Sequence, residues 1–242
     1  MKFCKKLPAF ALLEMAIALS VLGILGYMTL PLLSKIQQWQ KVKTTHAHQE
    51  KIMEALAGYV LANKHLPCPA LTTNGQAQAV CTNETKAGFV PYQTLGIEAK
   101  TAKDGYHHWM TYVVQPRLTH EKIRWIQPMS DLRVDPKTIF CKVSPDETLK
   151  VLNEQHQTCV ETPDFVAVVL ISHGTSGGYM LENGIVQPAV SLDSDKVMNT
   201  MRGDHYITKA PQYRDASIFD DTVLFVSRNN LMAQWAKVPC QH

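Results

Sequence analysis

From Phe10 to Leu33 the chain reads FALLEMAIALSVLGILGYMTLPLL, apolar at nearly every position and carrying one charge, Glu14. As an α-helix that run spans roughly 36 Å, enough to cross a hydrocarbon core about 30 Å thick. Beyond Leu33 the pattern changes. Ile36, Trp39, Val42, His46, Gln49, Ile52, Leu56 and Tyr59 recur at spacings of three or four, with Lys41, Lys43, Glu50 and Lys51 mostly between them. That is the period of an amphipathic helix, here assigned to residues 34–64 and ending near Asn63. The two patterns join into one helix of about 80 Å, bent at Pro31, whose ring displaces an interior backbone hydrogen bond. Its second half is expected to pack on a globular head.

Leu66-Pro67-Cys68-Pro69-Ala70 ends the helix, because flanking prolines cannot continue it. Residues 65–242 form the head. A Thr/Asn/Gly-rich loop runs to Lys86, and short strands are expected near Trp109–Gln115, Thr138–Val143, Phe165–Ser172, Tyr179–Gln187 and Thr222–Val226. Asn183-Gly184 is the expected two-residue hairpin turn inside the fourth of these. Arg228–Lys237 reads as a closing helix capped by Ser227. Asp131–Pro163 and Pro188–Phe219 read as irregular polar insertions. The fold class is α+β: a long amino-terminal helix packed on an antiparallel sheet.

Charge then separates the ends. The formal net charge is +3, with 24 Lys+Arg against 21 Asp+Glu. Lys2, Lys5 and Lys6 supply that whole excess from the first nine residues. The rest of the chain has no basic surplus, and no Lys/Arg cluster with interleaved aromatics, so no nucleic-acid partner is expected. Three lysines ahead of an apolar run place the amino terminus in the cytoplasm and the head across the membrane. Six cysteines are present; Cys4 precedes the apolar run, and in that compartment the other five, Cys68, Cys81, Cys141, Cys159 and Cys240, become disulfide candidates. No C-x-x-C pair occurs. The nearest pairs in sequence are Cys68 with Cys81 and Cys141 with Cys159, which would leave Cys240 over; spacing alone does not determine connectivity.

An ordinary cleaved secretory signal does not fit, since the apolar run is too long and Leu33-Ser34-Lys35 offers no small-residue site. A plain signal anchor would explain everything but Glu14, a carboxylate costly inside a spanning helix. The stretch Lys5-Lys6-Leu7-Pro8-Ala9-Phe10-Ala11-Leu12-Leu13-Glu14 resembles the processing site of type IV pilins and type II secretion pseudopilins. The resemblance implies a leader of residues 1–9, cut between Ala9 and Phe10 by a prepilin peptidase that then methylates the Phe10 amino group. It places Glu14 at the fifth mature position, where the family pairs this carboxylate with a neighbouring subunit's amino terminus. Pro31 falls at the twenty-second, a position where many members carry a helix-bending proline. Ala9 departs from the usual Gly. A second, looser resemblance, to minor pilin-like proteins, rests on Leu66-Pro67-Cys68-Pro69, on Gly88-Phe89-Val90-Pro91-Tyr92 with Leu95-Gly96, and on Asp104-Gly105-Tyr106. The last is similar to an Asp-x-(Trp/Tyr)-Gly turn, with His107 where the Gly would stand.

These resemblances imply a non-enzymatic minor pilin or pseudopilin subunit with a priming or tip role, held in the bacterial inner membrane with its head in the periplasm. The implied partners are other pilin subunits, the prepilin peptidase, the inner-membrane assembly platform and the lipid bilayer. Other chemistry weighs less. Gly174-Thr175-Ser176-Gly177-Gly178 matches G-x-S-x-G after a good strand, so a membrane-tethered hydrolase using Ser176 is the alternative. The following residues read as strand and turn rather than the helix a nucleophile elbow needs. His46 and His48, two apart on a helix, point to different faces and suit no metal. His107 and His108 would face opposite sides of a strand. Asp193, Asp195, Asp204, Asp215, Asp220 and Asp221 enrich the late loops. They read as solvated turn acids, with calcium, which takes oxygen ligands, as the cofactor alternative to none.

Overall fold

The computed structural model describes residues 12–119, 140–143, 149–175, 178–180, 186–188, 193–200, 203–214 and 217–240. These divide into two compact units, residues 1–41 and 42–242. Helix α1 runs Leu12–Asn63, 52 residues that include Pro31. It ends where the sequence pattern does, with Lys64 in the left-handed region at φ 70° and the Leu66–Pro69 segment beyond. The first unit contains α1 up to Lys41. The second contains the rest of α1 and the head.

In the second unit, α1 turns one face inward. Thr45, Gln49, Ile52, Met53, Leu56, Ala57 and Val60 are buried, while Glu50, Lys51 and Glu54 stay in solvent. Burying each of Ile52, Met53, Leu56 and Val60 contributes about 1.5–3 kcal/mol. They pack with Tyr112, Val114, Val168 and Leu170 from one face of a sheet, and with Leu231 and Met232. That sheet has four antiparallel strands in the order β1 (Ala87–Phe89), β2 (Thr111–Val114), β4 (Val166–Ser172) and β10 (Thr222–Ser227). Gln49 ties helix to sheet, its Nε2 donating to the carbonyls of Leu170 at 3.3 Å and Thr222 at 3.0 Å.

Strand β4 is buried at all seven positions. An unbroken apolar run of this kind requires cover on both faces of the sheet. Val169 and Ile171 face a second cluster with Val113, Leu149, Val151 and Tyr206. Val151 belongs to β3 (Lys150–Leu152) and Tyr206 to β7 (His205–Ile207), which pair parallel. The segments expected to be irregular insertions therefore supply this second layer. They also hold β8 (Gln212–Arg214) with β9 (Ser217–Phe219), and a short helix α2 (Ser194–Thr200). β5 (Gly178–Met180) and β6 (Val186–Pro188) pair antiparallel, with Tyr179 opposite Gln187 and Met180 opposite Val186, one position off the register a two-residue turn at Asn183-Gly184 would set. The Asn183-Gly184 turn lies outside the described residues.

Three expectations change. Phe140 and Cys141 are helical, not part of a strand over Thr138–Val143. The closing helix is α-helical only over Arg228–Asn230 and continues as a π-helical turn over Leu231–Trp235. Ser227 does cap it, its Oγ accepting from the Asn230 N–H at 3.2 Å. The third change is covalent. Cys68 is joined to Cys81, but Cys141 is joined to Cys240, and Cys159 is the free cysteine among the described residues. The nearest-pair rule fails for Cys141 because β3 pairing with β7 holds the 149–160 segment against the second layer, whereas the closing turn brings Cys240 back beside Cys141.

Candidate functional site

The sequence points first to α1. Glu14 stands in the first described turn of this helix and is exposed. From Glu14 to Ile24 every residue is exposed, including Met15, Ile17, Leu19, Val21, Leu22 and Ile24. Apolar side chains so placed leave no polar face on this stretch of helix. Ser20, the polar exception besides Glu14, turns its hydroxyl back to the Ala16 carbonyl at 2.8 Å and so presents little unsatisfied polarity. Tyr27 is 82% exposed and Trp39 63%. Exposure of this kind over a whole helical segment is a demand for cover by something outside the described unit. Among the described residues, no helix is long and apolar enough to cross a membrane. Ala9 and Phe10, the expected processing site, lie outside the described residues.

In the head, Asp104–His108 forms a turn as expected, and His107 and His108 lie ahead of strand β2 rather than on it. Asp104 Oδ1 accepts from the N–H groups of Tyr106 and His108, both at 2.9 Å, and Oδ2 accepts from the Ser172 hydroxyl at 2.6 Å. His107 has φ 68°, the left-handed conformation that glycine adopts most readily. His108 Nδ1 lies 3.2 Å from the Gly174 carbonyl oxygen, so this turn packs on the turn after β4. His48 likewise faces a backbone carbonyl, with Nδ1 2.6 Å from Lys103 O, while His46 is exposed. The two histidine pairs make no shared site.

Of the late-loop aspartates, Asp193, Asp195, Asp220 and Asp221 are not solvated turn acids, whereas Asp204 keeps its side chain 53% exposed. Lys86 pairs with Asp204, Lys209 with Asp193 at 3.2 Å and with Asp195 at 2.6 Å, and Lys196 with both Asp220 and Asp221. Burial pushes the Asp193 carboxyl up, but the Lys196 N–H and the Lys209 ammonium outweigh it and hold it below the ordinary range. Burial likewise works against the Lys209 charge, and the two aspartates reverse it, raising its pKa. The oxygens that could have held calcium instead hold lysines. Asp215 lies outside the described residues. Among the described residues, no group of three or more His, Cys, Asp or Glu side chains is placed to hold a metal ion.

Ser176 lies outside the described residues. The described chain after it enters strand β5, not the helix a nucleophile elbow requires. Cys159 is exposed at its surface, and partial burial raises its thiol, which reduces the reactive thiolate. What the sequence reading missed is the buried group around Lys196, with Asp220, Asp221, His173, Thr111 and Asn199. A lysine following Asp193-Ser194-Asp195 carries no local sign that it is buried. The chain matches no protein-family model, no curated protein and no solved structure.

Proposed function

We propose that the chain is a pilin-like assembly subunit, a minor type IV pilin or pseudopilin, anchored by the amino-terminal part of α1 and carrying a head outside the inner membrane. The observation that supports this most is the division of labour along α1. One helix presents unrelieved exposed apolar residues near its start and a buried, amphipathic face from Thr45 to Val60. The first part suits lipid before assembly and neighbouring helices afterwards; the second holds the head to the helix. The length to span a bilayer comes from the sequence run Phe10–Leu33, with Lys2, Lys5 and Lys6 ahead of it.

Within this reading Glu14 does the specific work. A carboxylate in an apolar helix needs a cationic or hydrogen-bonding partner, and an amino terminus at Phe10 of an adjacent subunit supplies one. That pairing sets the stagger between packed helices. The test is incorporation of Glu14→Ala into filaments in cells that assemble the wild type. The variant should insert in the membrane at normal level and be absent from sheared filaments; equal incorporation would overturn the pairing.

A further inference from the structure

Between β4, α2 and the start of β10 lies a set of reactive groups that assembly does not use. The side chains of Lys196, Asp220 and Asp221 are 1%, 2% and 0% exposed. Lys196 Nζ contacts Asp220 Oδ1, donates to the His173 carbonyl at 2.9 Å, and lies 3.2 Å from Asp221 Oδ1. Asp221 Oδ1 is buried and accepts no well-formed hydrogen bond. Asp221 Oδ2 accepts from Asn199 Nδ2 at 2.9 Å and lies 3.7 Å from His173 Nδ1. Asp220 Oδ2 accepts two bonds from Thr175, from its N–H at 2.7 Å and its hydroxyl at 2.6 Å. The approach of that turn depends on Gly174, at φ 64°, where a Cβ would sit 2.4 Å from the Asp220 Cγ.

We propose that Lys196 and Asp220 form an intramolecular amide, with Asp221 as the proton carrier and Thr175 as the oxyanion donor. Each requirement has an occupant. The nucleophile is an amine held against a carboxyl group with water excluded. Transfer of one ammonium proton to Asp221 Oδ1, 3.2 Å away, frees the Lys196 nitrogen lone pair. The nitrogen adds to the Asp220 Cγ, and the charge that develops on Oδ2 falls on the two Thr175 donors. Asp221 delivers its proton to Oδ1 and relays a second from the nitrogen, so Oδ1 leaves as water. One C–N bond forms, one C–O bond breaks, and nothing is oxidised or reduced. An ammonium and a carboxylate become an amide and a water, and Asp221 ends as the carboxylate it began. Fixed geometry replaces the activation that amide formation needs in solution. The link would join α2 to β10 across the head, and it stands whether or not the chain assembles into filaments.

The test is the intact mass of the full chain, purified in detergent, then reduced and denatured. It should be lighter by one water than its processed sequence. Tryptic digestion should yield a branched peptide joining the Lys196 and Asp220 segments, with no cleavage after Lys196. Lys196→Arg, which keeps the cation and removes the nucleophile, should restore the full mass, and Asp221→Asn should leave most chains unlinked. A wild-type chain at full mass with cleavage after Lys196 overturns the proposal, as does a water loss mapped elsewhere. Linking of Asp221→Asn at the wild-type rate would remove Asp221 from the mechanism. Because the wild-type mass alone decides, a variant that fails to fold does not protect the idea.

Discussion

Replacing Cys240 with Ser opens the longer of the two disulfide loops. Cys141 and Cys240 are 99 residues apart in sequence, Cys68 and Cys81 only 13. In the chain-entropy account, closing a loop of the first size removes about 4.7 kcal/mol of unfolded-state freedom and one of the second about 3 kcal/mol. The bridge also holds residues after the closing turn, whose Leu231 and Met232 line the core against α1. Cys240→Ser should therefore lower the unfolding free energy by roughly 4 kcal/mol, Cys68→Ser by roughly 3 kcal/mol, and Cys159→Ser by under about 0.5 kcal/mol, as for an exposed side chain. The assay is urea unfolding of the full chain in detergent, followed by intrinsic fluorescence, with a non-reducing peptide map of each variant. If Cys159→Ser were as damaging as Cys240→Ser, or if the map joined Cys141 to Cys159, the pairing and the loop-length argument would both fall.

Other outcomes follow from single contacts. His107→Gly should stabilise the head by about 1 kcal/mol in the same assay, since the φ of 68° then costs nothing. Leu56→Ala should destabilise it by about 2–5 kcal/mol, because the side chain is fully buried between helix and sheet. The Asp193 carboxyl is held below its ordinary 3.8, so its contribution is present above that pH and is lost as pH falls through the depressed value. A pH titration of stability should accordingly show the penalty of Lys209→Met shrinking as pH drops below about 3.8; a penalty unchanged at lower pH would exclude the Asp193 pair as its source.

How much of this was legible in the sequence depends on the range of each interaction. The end of α1 at Asn63, the buried run of β4 and the Ser227 cap are local signals, and each appears where the residues place it. The three-residue strands β3 and β7 are too short to show a period, and their pairing joins Lys150 to His205 across 55 positions (205 − 150). Asp220-Asp221 reads as a polar turn because its partner, Lys196, is 24 residues away and buried by the sheet layer that only the folded chain creates. Cysteine pairing was illegible for the same reason. For the proposed assembly role of α1 the sequence says more than the geometry, since that proposal rests on Ala9, Phe10 and Glu14 in register.

That register is what most needs measurement. The mass and sequence of the mature amino terminus, taken from chain expressed with a prepilin peptidase, test it directly. The account predicts loss of residues 1–9 and a methylated amino group on Phe10. An intact Met1, or a cut at any other bond, would contradict it.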